Sequence, residues 1–161
     1  MERAITLTAK PYWHEIETVR EKSSEFFRLN GLANHMVDSL TMVTSELVEN
    51  SLKYGNFTLS EDIVTVDIHI DDNFITIEVF NPVYEPSDNH LRKLDRMIQW
   101  IRGYQDPFQA YVEQLKDVSK KSLIDEESGL GLVRIAYEGK AILDFFVGED
   151  NILNVSAVSN F

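Results

Sequence analysis

The run Val64-Thr65-Val66-Asp67-Ile68-His69-Ile70-Asp71-Asp72-Asn73-Phe74-Ile75-Thr76-Ile77-Glu78-Val79 decides the fold class. Val64, Val66, Ile68 and Ile70 alternate with polar residues, and Ile75, Ile77 and Val79 do so again beyond Asp71-Asp72-Asn73. Successive side chains of a strand point to opposite faces, so each run presents one apolar face to a core. Two such runs joined by a triplet of turn formers predict a β-hairpin.

On the N-terminal side of the hairpin the apolar period is helical. A short strand is expected at 4–9. Pro11 then opens a helix carrying Trp13, Ile16, Val19, Phe26 and Phe27, which Gly31 stops. A second helix is expected over 32–54, with Met36, Leu40, Val43, Leu47 and Leu52 on its apolar side and Gly55 as its C-terminal cap. Beyond the hairpin, Leu91, Leu94, Ile98 and Ile101 again keep helical register, and Asp106-Pro107 reads as the cap and first position of a helix through Leu115. Residues 118–128 read as a polar loop, followed by a short helix at 129–137. Strands at 141–147 and 152–158 close the chain, joined at Gly148-Glu149-Asp150-Asn151. Front-loaded helices with strands arriving mostly as hairpins predict an α+β fold: a two-layer α/β sandwich with helices on one face of a mixed, mostly antiparallel sheet.

The 161 residues suit a single domain spanning 1–161, since domains commonly run to about 100–150 residues. Apolar residues make up 43% of the chain, with nine Phe, six Tyr and two Trp, which is ample material for one core. Fifteen Lys and Arg against 27 Asp and Glu leave a formal charge of −12. That balance disfavours nucleic acid and anionic membrane surfaces as partners, because phosphates are held by clustered cations. The absence of cysteine removes disulfides, thiolate metal sites and a thiol nucleophile from consideration. No apolar run approaches the roughly 18 residues of a membrane span, and the N-terminus lacks a signal-like apolar core, so the cytoplasm is expected.

Chemistry concentrates in Glu46-Leu47-Val48-Glu49-Asn50-Ser51-Leu52-Lys53-Tyr54-Gly55. Glu46, Asn50 and Lys53 stand at i, i+4 and i+7, so a carboxylate, an amide and an ammonium share one helix face. Such a stripe suits Mg²⁺ and phosphate. It also suits a solvated face with a Glu49–Lys53 ion pair. A second segment, Glu127-Ser128-Gly129-Leu130-Gly131-Leu132-Val133-Arg134, places glycines where a loop meets a helix, and there backbone N–H groups favour an anion. An ordinary tight turn would look the same. His14-Glu15-Ile16-Glu17-Thr18 begins like a zinc-protease helix but has Thr where the second His is needed.

Together, Glu46-x-x-x-Asn50-x-x-Lys53-Tyr54-Gly55 and Ser128-Gly129-Leu130-Gly131-Leu132 resemble the N and G boxes of the GHKL ATPase superfamily. The nearest members are the anti-sigma-factor serine kinases of partner-switching systems. The resemblance extends over 5–158 and implies a Bergerat-type ATP-binding fold with a long helical lid insertion at about 84–128. It further implies ATP and Mg²⁺ as cofactors, Asn50 as the metal ligand and Glu46 as general base toward a serine hydroxyl or a water. Lys53, Gly129, Gly131 and Arg134 would lie about the phosphates, Arg134 as an additional contact. The implied partner is a STAS-type antagonist, a sigma factor or a similar regulator, and a homodimer is left open. At the adenine-reading position, Asn81 stands where Asp is expected and Val83 where Gly is expected. Asn81 keeps a carbonyl acceptor for the adenine amino group, whereas the branched Val83 could fill space the base needs. The implied activity is that of an ATP-binding regulator that phosphorylates or sequesters a partner protein. The alternatives are a noncatalytic interaction module of the same fold and an ATP hydrolase. All of them suppose that Glu46 and Asn50 face the glycine bend across an open cavity.

Overall fold

The computed structural model describes residues 3–83, 89–120 and 130–160. Along the chain come β1 (Arg3–Ala9), α1 (Glu15–Leu29), α2 (Asn34–Tyr54), β2 (Val64–Ile70) and β3 (Phe74–Pro82). After them come α3 (Asn89–Arg102), α4 (Pro107–Lys120), α5 (Leu130–Tyr137), β4 (Ala141–Val147) and β5 (Ile152–Asn160). The hairpin forms as expected. Val66 pairs with Val79, Ile68 with Ile77 and Ile70 with Ile75, and all six are at most 1% exposed. The Asp71 carboxylate accepts the N–H groups of Asn73 and Phe74 at 2.8 and 2.7 Å. Those two backbone bonds hold its pKa below the ordinary value.

The five strands are ordered β1-β2-β3-β5-β4, and every pairing is antiparallel. This corrects the expectation of a mixed sheet. β1 returns to β2 through two helices, which restores an antiparallel neighbour. β3 and β4 run the same way, but β5 inserts between them, so no parallel pair forms. Helices cover one face of the sheet. α2 contributes Val37, Leu40, Val43, Leu47 and Val48 to a core that also takes in Leu91, Leu94 and Ile98 of α3 and Leu132, Val133 and Ile135 of α5. α4 packs on α5, where the rings of Phe108 and Tyr111 lie 5.2 and 5.4 Å from that of Tyr137.

Several local expectations are refined. α1 begins at Glu15 rather than at Pro11, and the intervening turn leaves Trp13 57% exposed instead of in the core. Gly31 takes a left-handed φ of 78° just after α1, a conformation that costs glycine nothing. Gly55 caps α2 in extended conformation, with φ at −77°. Glycine is needed there for space, because a Cβ would come within 2.6 Å of the Ser51 carbonyl oxygen and 2.8 Å of Asn81 Nδ2. The Asp106 carboxylate accepts the Phe108 N–H at 3.0 Å, as a helix cap does. α4 continues to Lys120, past the start of the expected polar loop.

Ile77, at the centre of the sheet, is 1% exposed. Ile77→Ala is expected to cost about 2–5 kcal/mol in urea unfolding. Thr76→Ala, on the other face, should stay within about 0.5 kcal/mol of the parent.

Candidate functional site

α2 and α5 lie side by side, and two glycines let them approach closely. A Cβ on Gly139 would strike the Val43 side chain and come within 2.5 Å of the Ile135 carbonyl oxygen. A Cβ on Gly131 would run into the Glu46 carboxylate. Glu46, its side chain only 16% exposed, thus rests directly on the first turn of α5. The sequence-predicted carboxylate and glycine do meet.

The carboxylate also meets a cation. Arg134, one turn further along α5, donates from Nη1 to Glu46 Oε1 at 3.0 Å and from Nη2 to Glu138 Oε2 at 3.1 Å. Burial nevertheless pushes the Glu46 pKa above its ordinary 4.5, reinforced by Glu49 and Glu138 and opposed by Arg134 and Lys53. Lys53 is exposed and acts on Glu46 only through its charge. Arg134, placed near the phosphates by the resemblance, is engaged here by two carboxylates.

Asn50, one turn after Glu46, has a buried Nδ2 with no hydrogen-bond partner. Asn81, 1% exposed at the end of β3, donates from Nδ2 to the Pro82 carbonyl at 3.1 Å and leaves Oδ1 unpaired. Ser51 Oγ is likewise buried and unpaired. The three line one small cavity, of about 10 Å³, with Leu47, Tyr54, Val79, Leu94, Leu153 and Val155. Leu94 of α3, 3% exposed, is among the apolar side chains around this cavity, whose volume is about that of one water. Val83 is buried in the core, its N–H donating to the Asn151 carbonyl at 2.8 Å. Gly129 lies outside the described residues, as do 84–88 and 121–128 of the expected lid insertion.

Ser51 and Leu94 escaped assignment to the site. Ser51 sits beside Asn50 in the stretch singled out above, and an unpaired hydroxyl there leaves no signal in the spacing. Leu94 kept its helical register, which told that it would be buried but not what it would cover.

No family model and no curated protein matches the chain. A solved structure does: a chain of the SiaB–SiaC complex from Pseudomonas aeruginosa is similar over 98% of this chain and 89% of that one, with a TM-score of 0.68 and 18% identity. The likeness shows the two-layer α+β fold. It also overturns the assignment to the GHKL superfamily, because the chain resembles a member of a SiaB–SiaC complex. The physical reason is visible in the site. One residue of each box is accounted for by the α2–α5 contact itself, Gly131 for room and Glu46 for an ion pair. Among the described residues no helix is long and apolar enough to cross a membrane.

The site yields two expectations. Folded Glu46 keeps its proton to a higher pH than unfolded Glu46, so the native state binds more protons above about pH 4.5 and stability falls as pH rises through that window. Glu46→Gln does not titrate; its stability relative to the parent should climb from pH 4.5 upward in urea unfolding, and parallel curves would refute the shift. Gly131→Ala should cost about 1–3 kcal/mol by overpacking. Glu46→Ala should recover most of that loss in the double variant, a coupling typical of touching residues.

Proposed function

We propose that this chain is a regulatory protein that works by binding a second protein, and that its α2–α5 site takes Mg-ATP and passes a phosphoryl group to a serine or threonine of that partner. The observation that carries this is a succession along α2: a carboxyl with a raised pKa against Gly131 at the start of α5 and, one helical turn on, a neighbouring small cavity with three unpaired buried polar groups. An unpaired buried group commonly costs about 1–3 kcal/mol, so three of them around one cavity mark a place where a polar ligand would be satisfied. In this proposal Glu46 takes the hydroxyl proton, Asn50 is the protein's ligand to a Mg²⁺ otherwise held by phosphates and waters, and the unpaired Asn81 oxygen receives the adenine amino group. α3 must swing aside to admit the nucleotide. The similar structure comes from a two-protein complex, which supports a protein partner. A phosphate at an interface adds about −1.5 to −2 charges, enough to break a contact and switch partners.

A second reading, a noncatalytic interaction module, is favoured by two observations: the cavity beside Asn50 is only about 10 Å³, and Arg134 occupies the Glu46 carboxylate. Calorimetry with Mg-ATP separates the two. The parent should bind, Asn50→Ala should bind at least tenfold more weakly, about 1.4 kcal/mol, and Leu94→Ala should bind more tightly because the cover no longer competes. Phosphoserine or phosphothreonine should form on the bound partner and vanish with Glu46→Ala. If the parent and Leu94→Ala both give no heat, the noncatalytic module stands.

A further inference from the structure

The face of the sheet turned away from the helices is laid out in rows by the strand register. One row runs Thr8, Thr65, Phe80, Asn154, Phe146; the next runs Thr6, Asp67, Glu78, Ser156, Asp144; the third runs Ala4, His69, Thr76, Val158, Ile142. On β1 and β2 this face is rich in threonine, as a solvated face of an antiparallel sheet commonly is. On β3, β5 and β4 it is not. Phe146 and Ile142 are 60% and 64% exposed, with Phe80 and Val158 half-buried beside them. Between these apolar rows runs the acidic one. Asp67 and Glu78 are direct cross-strand partners, a like-charge pair that opposes sheet formation. Thr6 donates to Asp67 at 2.6 Å and Asn154 donates to Glu78 at 3.0 Å. Asn154, 3% exposed, leaves its own Oδ1 unpaired.

Among the described residues the strands place no Lys or Arg on this face. Arg102, at the end of α3, reaches the outermost carboxylate, Asp144, at a distance of 3.7 Å. We infer that this acidic row between apolar rows is a docking surface for a helix of a partner protein that carries lysine or arginine along the middle of an otherwise apolar face. The inference rests on the reading of the chain as a partner-binding regulator and names the surface that does the binding. Charge complementarity chooses the occupant. A second copy docked face to face by a twofold axis would set carboxylates against carboxylates, and the chain's −12 charge opposes it further. The geometry suits a helix laid across the strands. Glu78 and Asp144 are two strands apart, about 10 Å, the rise of a helix between residues i and i+7, also about 10 Å. The apolar rows flank that line on both sides, where leucines at i+3 and i+4 would fall.

The probe is a fluorescein-labelled synthetic helical peptide with two lysines seven residues apart and leucines between and beside them, together with a twin that has glutamate in place of both lysines. The peptides lack hydroxyls and the titrations contain no nucleotide, so the outcome is independent of phosphoryl transfer. The lysine peptide should bind and the glutamate twin should not. Glu78→Gln with Asp144→Asn should weaken binding at least tenfold, and Phe146→Ala at least fivefold. Glu21→Gln with Glu25→Gln removes the same charge from exposed positions on α1 and should leave affinity within twofold. Equal loss in both charge-matched variants would show unspecific attraction to an acidic protein and overturn the inference. Equal binding of the two peptides would do the same. So would sedimentation showing a dimer that Phe146→Asp dissociates, since the occupant would then be a second copy. All the substitutions lie on exposed or outward positions, and unchanged circular dichroism and melting temperature confirm that each variant is folded.

Discussion

The close approach of α5 to α2 is the contact on which the rest of the site depends. It is set by what is missing: at Gly131 and Gly139 there is no room for a Cβ, because Glu46, Val43 and the α5 backbone already occupy the space. With the helices at that distance, a carboxylate from one and a guanidinium from the other become neighbours, and neither is fully solvated. The cost of taking Glu46 partly out of water is offset by Arg134 and returns as a raised pKa. The ion pair and the raised pKa thus come from one arrangement.

The neighbouring cavity tells a similar story in neutral groups. Asn50, Ser51 and Asn81 bring donors and acceptors to one spot, and the apolar side chains around it, Leu94 among them, leave these atoms unsatisfied. Native interiors seldom leave such groups unpaired. Around this cavity the wall from α3 is Leu94, which belongs to the core with Leu91, Ile98 and Ile101.

The two faces of the sheet divide the work. The inner face is almost wholly aliphatic and carries stability: Val64, Val66, Ile68, Ile70, Ile75, Ile77 and Val79 are at most 1% exposed. The outer face keeps a like-charge pair and two exposed large apolar residues on its β4 side, features that add nothing to stability and that suit a surface waiting to be covered. The small cavity and the outer face lie on opposite sides of one sheet, joined through β3 and β5, which line both.

The order of helices and strands was legible in the sequence because periods of 2 and 3.6 are local properties, and Gly31, Gly55, Asp71 and Asp106 punctuate them with residues whose backbone or capping chemistry is specific. The grouping of Glu46 with Asn50 was legible for the same reason, as both lie on one helix. Tertiary structure alone decided what faced them. That Arg134 pairs with Glu46 across 88 positions, that Leu94 comes to line the cavity beside Asn50, and that β5 slips between β3 and β4 to make the sheet wholly antiparallel are long-range outcomes of packing. Local periodicity states that a side chain will be buried; which neighbour buries it depends on the whole chain filling its core at once, and short motifs such as Glu-x-x-x-Asn or Gly-x-Gly carry no information about that.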